Sequence, residues 1–151
     1  MLLIVVIATS AYVLMFGFPF GFEGKESDFY LPTVKGNNIS TYKNSCNELN
    51  MSQVSKDPFS LVGQKVKVAG TIQKKEETIQ FNKTRTSIVL NVPELSPNPY
   101  ILVTYSTTMP FKQGNIITVY GEYYYPAKDE TMPEIANKEL PAIKAAYIEK
   151  V

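Results

Sequence analysis

The sequence predicts an all-β domain, a small five-stranded barrel, preceded by an N-terminal hydrophobic α-helix of transmembrane type. Three observations carry this. Met1 to Phe22 contain no charged residue. From Leu61 onward apolar residues recur with a period of two, as in strands with one buried face. The long first and fourth strands are interrupted by Gly70 and Gly121, where a strand serving both sides of a small barrel has to bend.

The elements follow in order. Leu2, Leu3, Ile4, Val5, Val6 and Ile7 open an apolar run that continues through Val13, Leu14, Met15 and Phe16. Eighteen to 22 helical residues span roughly 27–33 Å, about the hydrocarbon thickness of a bilayer. A retained signal anchor is the first reading. A cleaved signal peptide would start with Lys or Arg and end at a small-x-small site, whereas this run ends in Phe18-Pro19-Phe20-Gly21-Phe22. A pilin-like stalk would use the small residues Ala8, Ser10, Ala11 and Gly17 for close helix packing, but Gly17 and Pro19 would shorten it.

Residues 23–51 are polar, with Gly24, Pro32 and Gly36, and read as an extended linker; Phe29, Tyr30, Leu31 and Val34 are able to pack on the domain. Residues 52–151 form the domain. It starts with a short helix over Ser52–Lys56, capped by Asn50 or Ser52 and ended by Pro58. Val66, Val68, Gly70 and Ile72 alternate with polar residues in the first strand. Lys74–Glu77 reads as a polar turn, and Thr78–Phe81 extends the hairpin. Ser87–Val92 and Tyr100–Ser106 are β-branched runs. Ile116–Tyr125 is a long fourth strand after the turn Lys112-Gln113-Gly114-Asn115, and Ala142–Glu149 is the fifth. An immunoglobulin-like sandwich would need about seven strands.

The matching stretches are Lys56-Asp57-Pro58, Val62-Gly63-Gln64-Lys65-Val66-Lys67-Val68-Ala69-Gly70-Thr71-Ile72, Gly114-Asn115 leading to Val119-Tyr120-Gly121, and Leu140-Pro141-Ala142-Ile143. Over Ser52–Val151, about two thirds of the chain, they resemble an OB-fold of the tRNA-anticodon-like type found in membrane-tethered or secreted archaeal and bacterial proteins. The resemblance implies a Greek-key barrel with ligands meeting the face of strands two and three and the loops joining strands one–two and four–five. The chain departs from the pattern between strands three and four, where Pro110 interrupts the usual helix.

Composition excludes more than it selects. The chain has no His and no Trp, and Cys46 is its single cysteine. Zinc, haem, copper and iron–sulfur sites need clusters of His or Cys, and a Ser–His or Cys–His pair cannot be built. No catalytic residue, metal or cofactor is expected. Cys46 reads as a buried structural thiol. Net charge is +1, with fourteen Lys and the lone Arg85, a poor balance for phosphate readers, which favour Arg forks.

The ligand or partner surface is expected among Lys74, Lys75, Lys83 and Arg85 on the first implied loop and Tyr105, Tyr123, Tyr124 and Tyr125 on strands. For the lysines the plainer reading is a solvated hairpin tip; for the tyrosines it is strand packing with the hydroxyl in water. The second implied loop, Pro126–Pro141, carries the opposite charge, which disfavours a continuous basic groove for nucleic acid. Its Asp129, Glu130 and Glu134 lack the spacing of a calcium loop.

Lys25 and Lys35 after the apolar run would by the positive-inside rule keep the domain inside, but Glu23, Glu26 and Asp28 dilute them. Three glycosylation sequons, at Asn38, Asn50 and Asn82, favour the cell surface. The expectation is therefore a non-enzymatic, membrane-anchored, extracytoplasmic binding or assembly module. It would meet lipid or its own copies through residues 1–22, and a protein or glycan through the domain. The alternatives are a pilin-like filament subunit and a single-stranded nucleic-acid-binding OB-fold.

Overall fold

In the computed structural model the described residues are 26–128 and 138–151, with residues 125–128 described in backbone only. The apolar run, Tyr125's side chain and most of the Pro126–Pro141 loop lie outside them, as do Asp129, Glu130 and Glu134. Among the described residues no helix is long and apolar enough to cross a membrane.

Five strands close on themselves. They are β2 (Lys65–Gln80), β3 (Lys83–Asn91), β4 (Tyr100–Tyr105), β5 (Ile116–Lys128) and β6 (Glu139–Lys150), and a two-residue strand β1 (Asn47–Glu48) lies parallel to the start of β2. The sheet order is β1-β2-β3-β4-β6-β5, with β5 returning to β2. Neighbours are antiparallel except β1–β2 and β4–β6, which are parallel. Val66, Val68, Ile72, Ile88, Leu90, Ile101, Val103, Ile117, Val119, Ile143 and Ala145 fill the interior, the alternate positions that period-two patterning requires.

Glycine is needed at both expected bends. Thr71 pairs with Ile116 of β5 and with Asn91 of β3, so β2 changes partners at this point. A Cβ on neighbouring Gly70 would lie 2.6 Å from the Asn91 carbonyl oxygen. At Gly121 the β5–β6 register shifts, and a Cβ there would overlap the Lys144 carbonyl and sit 2.8 Å from Ala145 Cα.

The first hairpin corrects the expected turn. Lys74–Glu77 lies inside β2, and the connection is the two-residue turn Phe81-Asn82, with φ of 52° and 59°. The charged run stays extended because its signs match the strand period: Lys74 Nζ lies 3.1 Å from Glu76 and Lys75 Nζ lies 3.5 Å from Glu77, each pair on one face.

The segment expected as an extended linker is folded from Glu26 onward. It holds α1 (Glu26–Phe29), α2 (Asn38–Ser45) and β1, and it buries Tyr30, Cys46 and Leu49. The expected helix is α3 (Met51–Lys56). Asn50 caps it by accepting a bond from the Gln53 N–H, and a 3-10 turn follows over Pro58–Leu61. Val54 and Leu61 join the barrel core, as does Met109 from the loop between β4 and β5, where no helix forms. Cys46 is buried, and its thiol faces the Tyr42 carbonyl at 3.3 Å. A polar clasp fixes α2 to β5 and β6: Lys43 Nζ and the Tyr120 hydroxyl both donate to Glu149, at 2.9 Å each, and Lys43 lies 5.2 Å from the Tyr120 ring centroid.

Gly121→Ala is expected to cost on the order of 3 kcal/mol, read as a lowered denaturant midpoint. Gly114→Ala meets open space at φ +87° and should cost about 1 kcal/mol. The Lys43 hydrogen bond holds the Glu149 carboxyl below its ordinary 4.5. The clasp's contribution is therefore complete above about pH 4.5 and lost as pH falls through the lowered value. Thermal melts of Glu149→Gln should depend less on pH in that acid range than those of the parent.

Candidate functional site

Strand alternation decides which side chains reach the outer face of β3 and β4. Ile88 and Leu90 point into the barrel, so Arg85, Ser87 and Val89 point outward. On β4, Ile101 and Val103 face inward and Leu102 and Thr104 outward. Residues 26–34 run across this outer face as a strap. Thr104 Oγ1 donates to the Phe29 carbonyl at 2.5 Å, Lys144 Nζ to the Ser27 carbonyl at 3.3 Å, and the Val34 N–H to the Ala146 carbonyl at 3.0 Å.

Arg85 is the centre of the contact. It is 2% exposed. One terminal nitrogen donates to the Ser106 carbonyl and the other is ion-paired with Glu26 of the strap. Its Cζ lies 5.0 Å from the Tyr30 ring centroid, a cation held against the negative face of the ring. Arg85 Nε has no hydrogen-bond partner among the described residues. Tyr30 meets Phe81 edge-on at 6.4 Å, and its hydroxyl donates to Gln80 Oε1 at 2.5 Å. Burial, with Tyr124 nearby, pushes the Tyr30 phenol up to about 12.

Beside this contact an open cleft of about 880 Å³ is lined by Glu26, Tyr30, Lys35, Lys83, Arg85 and Thr107, among others. Lys83 Nζ lies 3.9 Å from the same Glu26 oxygen that meets Arg85. The cleft carries three cations to one carboxylate, and that carboxylate belongs to the strap. Such a wall can hold an anion, and in this conformation Glu26 serves as one.

The expected surface residues divide. Lys83 and Arg85 reach the cleft. Lys74 shares their outer face but stands opposite Val89, four residues up the hairpin from Arg85's partner Thr78, or roughly 13 Å. Lys75 is on the core side, donating to the Met109 carbonyl at 2.7 Å and the Phe111 carbonyl at 3.0 Å, so it secures a loop. Tyr105 is half-buried against the core, and Tyr123 lies fully inside it. Tyr123's place in the core follows from its inward position on β5, beside Ile117 and Val119. Tyr124 is half-buried, with Lys144 Nζ 5.8 Å from its ring. Asn38, Asn50 and Asn82 are all exposed, although the Asn50 side chain caps α3. Glu26, Tyr30 and Lys35 complete the cleft from the segment read as linker; its apolar quartet Phe29, Tyr30, Leu31 and Val34 is the signal that it packs.

No protein-family description matches the chain, and no curated protein matches it. Among solved structures it is similar to an aspartyl-tRNA synthetase from Leishmania major Friedlin, at 13% identity and a TM-score of 0.47 over 81% of this chain. The match spans 23% of that protein.

With a folded value near 12 against an ordinary 10, Tyr30 adds stability that is complete below pH 10 and is lost as pH rises toward 12. Tyr42 is pushed up to about 12 as well, chiefly by burial. Followed by phenolate absorbance, Tyr30→Phe should reduce the change seen as pH rises toward 12.

Proposed function

We propose that this chain is a membrane-tethered, extracytoplasmic binding or assembly module of OB-like Greek-key fold, without catalytic chemistry of its own, and that the cleft beside Arg85 is its ligand surface. The fold reading is supported by the closed strand order, with the third and fifth barrel strands parallel. In OB-folds the second and third barrel strands carry ligands, and these are β3 and β4 here. The tether is supported by the uncharged run Met1–Phe22 and the surface placement by the three exposed sequons. An enzyme is disfavoured by a composition without His and with one buried Cys.

The observation that carries the site is a buried guanidinium held against the chain's own Glu26 at the mouth of an open cleft. The resident group is a carboxylate, so the ligand class that fits is an acidic segment of a protein. A nucleic-acid strand would need a longer cationic track and stacking surfaces, and Tyr30 already has Arg85 and Phe81 on its ring.

The test is fluorescence anisotropy of a labelled oligo-glutamate peptide against the full chain in detergent. Glu26→Gln should tighten binding several-fold by removing the competing carboxylate, with the intramolecular competitor acting at an effective concentration of about millimolar. Lys83→Gln should weaken it, and added salt should weaken both. Equal affinity for parent and Glu26→Gln would sink the cleft as the site, and tighter capture of oligo(dT) than of peptide would favour a nucleic-acid ligand. Protease treatment of intact cells should remove a C-terminal epitope if the domain is outside.

A further inference from the structure

The β2–β3 hairpin outruns the barrel. β4 begins to pair with β3 at Thr86, so the rungs Thr78–Arg85, Ile79–Thr84 and Gln80–Lys83 hold only each other in the sheet. The end of this projection carries two exposed large apolar residues: Ile79 is 79% exposed and Phe81 is 44% exposed. Phe81 also occupies a turn position at φ 52°. Two-residue turns of this hand favour Asn, Asp or Gly, and a bulky side chain with positive φ is a backbone outlier. The turn thus holds a large ring that meets Tyr30 edge-on yet leaves 44% of the residue exposed, the kind of outlier that points to a role at the surface.

The chain also enters the domain at this hairpin. Glu26 is ion-paired with Arg85 and stands 3.9 Å from Lys83, and Tyr30 touches both Gln80 and Phe81. Phe22, the last residue of the uncharged run, is four residues before Glu26, and four residues span at most roughly 14 Å. A bilayer's interfacial layer is roughly 5–8 Å deep on each side. If Met1–Phe22 cross a membrane, Glu26 at the base of the hairpin is held within about two to three such depths of the hydrocarbon edge.

We propose that Ile79 and Phe81 are a membrane-contacting wedge, seated in the interfacial layer of the bilayer that holds the anchor. This rests on the tether reading above. An aromatic and a branched aliphatic at the end of a projecting hairpin match that layer: the ring and methyls enter the headgroup–acyl boundary. Two side chains would bind a membrane weakly alone. The anchor makes the contact intramolecular, so a weak contact suffices to be occupied. The wedge then fixes the barrel's orientation, so that it does not turn freely on its tether.

The chain has no Trp, so one introduced Trp reports its own surroundings. The full chain carrying Phe81→Trp is reconstituted into phosphatidylcholine vesicles with a quarter phosphatidylglycerol, with and without lipid brominated near the headgroup. Ile79→Trp is the second variant, should the turn reject the larger ring. Ile116→Trp is the control: Ile116 is 51% exposed and pairs with Thr71, which is nine residues and roughly 30 Å along β2 from Gln80. The wedge predicts a blue-shifted emission and at least about twofold bromine quenching for the hairpin Trp, and little for the control. Vesicle flotation reads the anchor independently. Flotation without quenching of either hairpin Trp overturns the wedge and leaves the tether standing. Equal quenching of hairpin and control overturns it too, since no tip is singled out. Loss of flotation overturns the tether, and the wedge with it. An unquenched hairpin Trp that is blue-shifted in floated vesicles assigns the tip to a protein contact instead.

Discussion

The structure depends on one strand bonding to two neighbours. β2 gives its first half to β5 and its second half to β3, and Thr71 belongs to both ladders. This closure removes the exposed edges that an open five-stranded sheet would leave. Backbones also approach closely at its two glycine bends. Gly70 lies against Asn91 and Leu90, and Gly121 against Lys144 and Ala145. No side chain fits at either point without displacing its neighbours, and the interior takes what alternate positions supply. Short branched residues dominate it, with Tyr123 as the one buried aromatic in the central cluster.

A closed barrel has two ends to cover. The loop between β4 and β5 forms no helix to cover one. Met109 enters the core from it, held by the two bonds from Lys75 to the loop's carbonyls. The remaining cover comes from upstream, through Leu49, Val54 and Leu61. The chain before the first barrel strand therefore belongs to the fold. This explains why the strap is ordered across β4 and β6: its carbonyls accept from Thr104 and Lys144, side chains that stand on barrel strands.

Much of the barrel was legible from alternation. The five strands, the two bend glycines and the α3 cap at Asn50 all follow from period, backbone freedom and capping chemistry. The hairpin turn is displaced from the expected position because Lys74-Lys75-Glu76-Glu77 looks like a solvated tip. The like-then-unlike order of those charges is in fact a strand signature, placing opposite signs two residues apart on each face. The true turn lacks the usual Asn-Gly. Half of the cleft was legible too: Lys83 and Arg85 were singled out as cations near a loop. Their partners were not, because Glu26 and Tyr30 lie more than fifty residues upstream in a stretch without periodicity, and an ion pair across that separation leaves no trace in spacing. Tyr123 shows the opposite limit. Three consecutive tyrosines must project to both faces, and composition does not say which one the core takes.

The cleft and the hairpin tip share a side chain, and this ties the two proposals physically. Tyr30's ring lies between Arg85, which faces the cleft, and Phe81, which caps the hairpin. Glu26, the resident carboxylate, is four residues before Tyr30 on the same strap, and the Tyr30 N–H donates to the Glu26 carbonyl at 2.9 Å. A ligand proposed to take Glu26's place at Arg85 would act on the same strap that seats Tyr30 against the tip. The size of that effect is bounded by how differently the ligand binds the seated and loosened strap. Any such coupling is reciprocal: a surface that holds the tip would change the cleft's affinity for its ligand by the same factor. The strap is the element both sites would bias, and it is also the segment that leads from the apolar run into the barrel.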